Sequence, residues 1–169
     1  GSIAAIGLCF NAGFPSPVPS MTTDPTNYRD KLYQNYATLV MRTPDTFDVA
    51  MADRWGKAYD YYLRRWLPPR QDAVVLDVAC GAGKLLHFFK RRGYSNLTGV
   101  DLSPEQVALA RQVIPDIVQG DVLPFLEARP EHFDLITGLD IIEHLEKPVV
   151  LQFLADTGLH ERWEAGDVN

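Results

Sequence analysis

Cysteine is scarce in this chain. Cys9 and Cys80 are the only two in 169 residues, too few and too far apart for a disulfide framework or a thiolate metal site, which points to a reducing, cytoplasmic setting. Also missing is any run of about 18 apolar residues, so no membrane-spanning helix is expected. Positive charge is in deficit: 16 Lys and Arg face 22 Asp and Glu, giving a formal net charge of −6. Phosphate contacts draw on clustered cations, so a nucleic-acid partner is not expected, and the basic clusters "RRWLPPR" and "KRR" read as solvated helix ends. There are no internal repeats and no low-complexity tracts.

What is present suits one globular domain, with 46% hydrophobic and 22% charged residues. Residues 1–20 stand apart. Gly1-Ser2 has the form of a cleaved-tag scar, and the Pro/Ser/Gly-rich stretch after it lacks the basic start of a secretion signal. This segment is expected to be upstream sequence, mostly disordered, with Met21 resembling a natural start. Residues 21–69 read as a helical segment: Tyr28, Leu32, Tyr33, Tyr36, Leu39 and Val40 recur at helical steps, and a second helix runs through "FDVAMADRWGKAYDYYLRRWL" until Pro68-Pro69 ends it. Its stripe of Tyr59, Tyr62 and Trp66 reads as packing onto a sheet.

The period changes in residues 70–158. "AVVLDVA" is an apolar, β-branched run; "GKLLHFFKRRG" is helical and closes at Gly93; "NLTGVDLS" is a second strand. "SPEQVALARQVI" is a helix with Ser103 as N-cap and Pro104 at its first position. "DIVQGDV" supplies a third strand, "LPFLEARP" a short helix or turn, and "FDLITGLDII" a fourth strand. Alternating strands and helices imply βαβ units and a Rossmann-like, mostly parallel sheet flanked by helices. Residues 159–169 form a polar tail without strand pattern.

The turn in "VVLDVACGAGKLL" is best identified by elimination. A phosphate-binding P-loop needs Gly where Val78 stands and Ser or Thr where Leu85 stands. A dinucleotide fingerprint needs a third glycine where Leu86 stands. What remains is a tight turn whose backbone approaches a ligand at a helix N-terminus, with Asp101 at the end of the next strand placed to take both hydroxyls of a ribose. A nucleoside without a diphosphate is implied. Asp121, after the third strand, could accept a hydrogen bond from an adenine amine.

Four segments in this order, "VLDVACGAG", "GVDLSPEQVALA", "QGDVLPF" and "FDLITGLDIIEHL", resemble the class I S-adenosylmethionine-dependent methyltransferases over roughly Asp72 to Pro148. The resemblance implies S-adenosylmethionine as cofactor and a small-molecule methyl acceptor. It implies that the Gly81-Ala82-Gly83 turn passes under the methionine part and that Asp77 orients the turn or meets the amino group. It further implies Asp101 on the ribose, Leu102 against the adenine, Asp121 and Val122 at the adenine edge, and the Leu139-Asp140 backbone near the methionine end. Ala79 replaces the family's more usual glycine; its small methyl is expected to cost little.

The "DIIEH" run resembles the "ExxEH" of quinone-biosynthesis O-methyltransferases and of methyltransferases acting on the 3′ end of small RNAs, where such a set can hold a metal. In this chain Asp140, Glu143 and His144 are expected to form a helix-capping cluster and no metal site. No catalytic residue is assigned. Cys80 reads as a small buried filler, and His87 and His132 carry no assignment. In the resembled family the sheet order is third, second, first, fourth, fifth, seventh, sixth strand, and this sequence is expected to lack the strands after the fourth. "FDLITGL" would then become an open edge, which predicts a homodimer through that edge or through swapped elements. Two functions follow: a methyltransferase, or a truncated fragment that binds S-adenosylmethionine or S-adenosylhomocysteine without transferring a methyl group.

Overall fold

The computed structural model describes residues 5–6, 45–129, 133–139 and 141. In chain order the elements are β1 (Ala5–Ile6), α1 (Val49–Leu63), β2 (Val74–Val78), α2 (Lys84–Arg91), β3 (Asn96–Asp101), α3 (Pro104–Ala110), β4 (Ile117–Gln119), α4 (Val122–Glu127) and β5 (Leu135–Thr137). The expected helix around Tyr28 to Val40 and the tail at 159–169 fall outside the described residues.

Local chemistry sets the element ends. Asp48 caps α1 by accepting from Met51 N at 2.9 Å. This helix ends at Leu63, four residues short of the sequence expectation, and Trp66 N and Leu67 N both turn back to Leu63 O. Pro68 lacks an N–H and disfavours helical backbone at Leu67, so this last turn is not continued. At the end of α2, Gly93 N bonds to Lys90 O and Tyr94 N to Phe89 O, with Gly93 at φ +91°. That is a Schellman closure, available because glycine enters the left-handed region at no steric cost. Ser103 and Asp121 cap α3 and α4, as their positions predict for Ser103.

The strands form one parallel sheet in the order β1-β5-β2-β3-β4. Alternation along β2 sends Val75 into one core layer and Leu76 and Val78 into the other. The first layer gathers Tyr59, Leu63, Leu86, Phe89, Leu97 and Val107 from α1, α2, β3 and α3. The second gathers Val100, Val122, Phe125, Phe133, Ile136 and Ile141. Apolar residues on both faces of β2 are what a central parallel strand requires. The aromatic stripe of α1 divides: Tyr59 is buried edge-on to Phe88, whereas Tyr62 and Trp66 are 46% and 41% exposed.

One pairing departs from the sequence reading. The sequence reading sets residues 1–20 apart from the domain and leaves β5 an open edge. Instead Ala5 pairs with Ile136 and Ile6 with Thr137, in parallel. β1 thus takes the position beside the fourth strand that the resemblance gives to a fifth strand.

Candidate functional site

Four strands end side by side. Their connections run from β2 outward to β3 and β4, then cross back to β5 on the other side of β2. In open parallel sheets the crevice at the carboxyl ends of such strands, where the connection reverses, is where ligands bind. All the sequence-predicted site residues that are described lie there: Asp77, Ala79, Gly81 and Gly83 after or at the end of β2, Asp101 and Leu102 after β3, Asp121 and Val122 after β4, and Leu139 after β5.

The glycine turn is built on positive backbone angles. Ala79, Gly81 and Gly83 have φ of 52°, 52° and 83°. At Gly83 a Cβ would stand 3.2 Å from Ala110 Cα, so the missing side chain also lets α3 pack against the turn. Ala79 corrects an expectation. Its methyl is exposed, but its backbone lies in the left-handed region, which disfavours any residue with a Cβ by roughly 1–2 kcal/mol. The cost therefore comes from φ and not from the methyl's size.

Asp101 holds this turn in place. Its Oδ2 accepts from Gly81 N and its Oδ1 from Ser103 N, both at 2.8 Å. A carboxylate has about four lone-pair directions, so two remain for a ligand. Burial raises the Asp101 pKa, opposed by these two backbone donors. Asp77 is 3% exposed and takes a hydrogen bond on Oδ1 from the Thr137 hydroxyl at 2.9 Å. Burial pushes its pKa up to about 7, the Thr137 bond opposes this, and the charge of Asp101 adds to it.

The remaining predicted residues have structural duties as well. Asp121 caps α4 by accepting from Leu123 N at 3.2 Å. Val122 is 8% exposed and packs in the second core layer. Leu102 and Leu139 are half-buried, Leu139 against the first layer. Cys80 is buried, and burial, followed by the charges of Asp77 and Asp101, raises its thiol pKa far above the ordinary range, which disfavours the thiolate. Asp140, Glu143 and His144 lie outside the described residues.

Two residues here escaped sequence reasoning. Thr137 carried only the weak signal of one hydroxyl in the apolar run "FDLITGL". Gln106 sat inside "SPEQVALA", three residues after the capping Ser103, and passed as an ordinary helix residue. It is 6% exposed, and its Oε1 is buried without a hydrogen-bond partner. Elsewhere, a surface groove between α1 and α2 is lined by Asp53, Lys57, Asp60, His87, Arg91 and Arg92. Across it His87 Nε2 lies 2.9 Å from Asp53 Oδ1, and Arg92 pairs with Asp60. Among the described residues no helix is long and apolar enough to cross a membrane.

Residues 75–158 match a methyltransferase domain family. A ubiquinone biosynthesis O-methyltransferase of Xanthomonas campestris pv. campestris (strain B100) is 32% identical, over 60% of this chain and 50% of its own length. One of the same description from Xylella fastidiosa (strain 9a5c) is 33% identical, over 54% and 39%. This chain thus spans half or less of the length of these relatives. Among solved structures, a SAM-dependent methyltransferase from Archaeoglobus fulgidus superposes with a TM-score of 0.51 at 21% identity, covering 79% of this chain and 52% of that one. Magnesium protoporphyrin IX methyltransferase from Synechocystis PCC 6803, solved with bound SAM, gives 0.54 at 16% identity, covering 82% and 73%. At these identities the structural likeness is one of fold.

Proposed function

We propose a function from one premise, that this chain belongs to the class I S-adenosylmethionine-dependent methyltransferases. The proposed activity is transfer of a methyl group from S-adenosylmethionine to a hydroxyl of a small molecule. Relatives described as ubiquinone biosynthesis O-methyltransferases favour a phenolic acceptor.

The observation that carries the reading is the Asp101–Gly81 hydrogen bond, 2.8 Å long, which joins the acidic end of β3 to the glycine turn after β2. The residues fit the cofactor. A turn short of side chains allows close backbone approach, Asp101 retains acceptor capacity for two ribose hydroxyls, and the N-terminus of α2 offers a positive dipole end to a carboxylate. In this reading Asp77 meets the ammonium group, Leu102 covers the adenine, Asp121 and Val122 bound its edge, and Leu139 lies near the methionine end.

When bound, S-adenosylmethionine supplies a methyl on a positively charged sulfur that is already a good leaving group. The protein's contribution is then chiefly alignment, holding the methyl in line with the acceptor oxygen within a desolvated crevice. The acceptor hydroxyl gives up its proton, and no described residue is assigned as its base. The second reading is cofactor binding without methyl transfer. Titration with S-adenosylhomocysteine beside a radiolabelled methyl-transfer assay on quinol-like phenols separates the two.

We also place the protein in a reducing cytoplasm, on its two separated cysteines. Self-association through β5 is proposed to depend on β1: a homodimer forms where that edge is left unpaired.

A further inference from the structure

Gln106 is the one described residue with a buried side-chain polar atom lacking a partner. Its backbone is well held, since its N–H reaches the Ser103 hydroxyl at 3.4 Å. The side chain is different. Burying a carbonyl oxygen without a donor is unfavourable, and an apolar residue at this helix position would avoid that cost. The carboxamide adjoins the glycine turn: a Cβ on Gly81 would lie 3.8 Å from Gln106 Oε1. The same Gly81 gives its N–H to Asp101 Oδ2. Gln106 and Asp101 therefore both adjoin Gly81 of the turn.

We propose that Gln106 is a second ribose-binding residue, its carboxamide completing with Asp101 the recognition of a nucleoside's vicinal hydroxyls. This rests on the function proposed above. A diol brings two donors and two acceptors, whereas a carboxylate only accepts, so a carboxylate alone leaves the hydroxyl oxygens without donors. A carboxamide presents both kinds of group, and its last torsion is broad enough to turn either toward a hydroxyl. The partner that Oε1 lacks is thus one that the ligand brings.

The test compares wild type with Gln106→Met, an unbranched apolar residue of similar length, using S-adenosylhomocysteine and 5′-methylthioadenosine as probes. The second probe has the ribose but no amino-acid end. Expected for Gln106→Met is a Kd raised about five- to tenfold for both probes, with the ligand-free melting temperature equal to or above that of wild type. Unchanged affinity would overturn the proposal, as would weakening confined to S-adenosylhomocysteine, which would point to the amino-acid end. A lower ligand-free melting temperature would also overturn it, because the carboxamide would then be bracing the turn. Wild type that binds neither probe would overturn the functional reading as well, whereas wild type that binds in an Asp101-dependent way separates failure of this inference from failure of that one.

Discussion

The Thr137 hydroxyl lies 2.9 Å from Asp77 Oδ1 and 3.2 Å from Leu76 O, tying the end of β5 to the end of β2 beneath the glycine turn. One hydroxyl proton faces two acceptors. Donation to Asp77 favours the ionised carboxylate, as a hydrogen bond to the charged form does. An ionised Asp77 claims the proton and leaves a buried negative charge near Asp101. Burial outweighs the Thr137 bond and, with the charge of Asp101 adding to it, holds the carboxyl protonated up to about pH 7.

Stability should therefore fall as pH rises. Between the ordinary carboxylate pKa of about 3.9 and the folded value of about 7, the unfolded chain ionises Asp77 while the native state keeps its proton, at about 1.4 kcal/mol per pH unit. Below that window the group costs nothing; above it the full penalty applies. Urea midpoints for wild type and Asp77→Asn should diverge between pH 5 and pH 8, with the variant more stable at pH 8. Parallel pH profiles would refute the shift.

Asp101→Ala should weaken S-adenosylhomocysteine binding at least about tenfold, since hydrogen bonds to a charged group contribute roughly 1.5–3 kcal/mol. It should also lower the melting temperature, because Gly81 N and Ser103 N both lose their acceptor. Calorimetry gives the first quantity and a thermal melt the second. An unaltered Kd would remove Asp101 from the site.

Ala79→Gly should stabilise the ligand-free protein by several tenths of a kcal/mol to about 1 kcal/mol. Relief of the left-handed strain at φ 52° is worth roughly 1–2 kcal/mol, and the greater entropy of glycine in the unfolded chain returns about 0.4–1 of it. The methyl is exposed, so little packing is lost. A lower urea midpoint in the variant would contradict this.

Deleting residues 1–20 removes β1 and leaves the backbone groups of Ile136 and Thr137 facing solvent on that side. Such an edge pairs readily with another copy. Light scattering at micromolar concentration should show a larger dimer fraction for the shortened chain than for the full one. Equal masses would mean that β1 does not guard the edge.

Features legible in the sequence are those fixed by neighbours within about five residues. Ser103 with Pro104 marked the start of α3, Gly93 marked the end of α2, and the apolar runs around Val75 and Ile136 marked buried strands. Their causes are local: a side-chain oxygen meeting the next turn's N–H, a glycine entering the left-handed region, a strand with apolar residues on both faces. The resemblance singles out Asp77, Gly81, Gly83 and Asp101, and these stand together at the carboxyl ends of β2 and β3. Tertiary structure alone decided what depends on distant segments meeting. Thr137 reaches Asp77 across 60 positions, Ala5–Ile6 pairs with a strand some 130 residues away, and Gln106 is an orphan only because α3 packs against the turn. Hydrogen-bond partners across such separations are chosen by sheet order and helix packing, which no short window of sequence encodes.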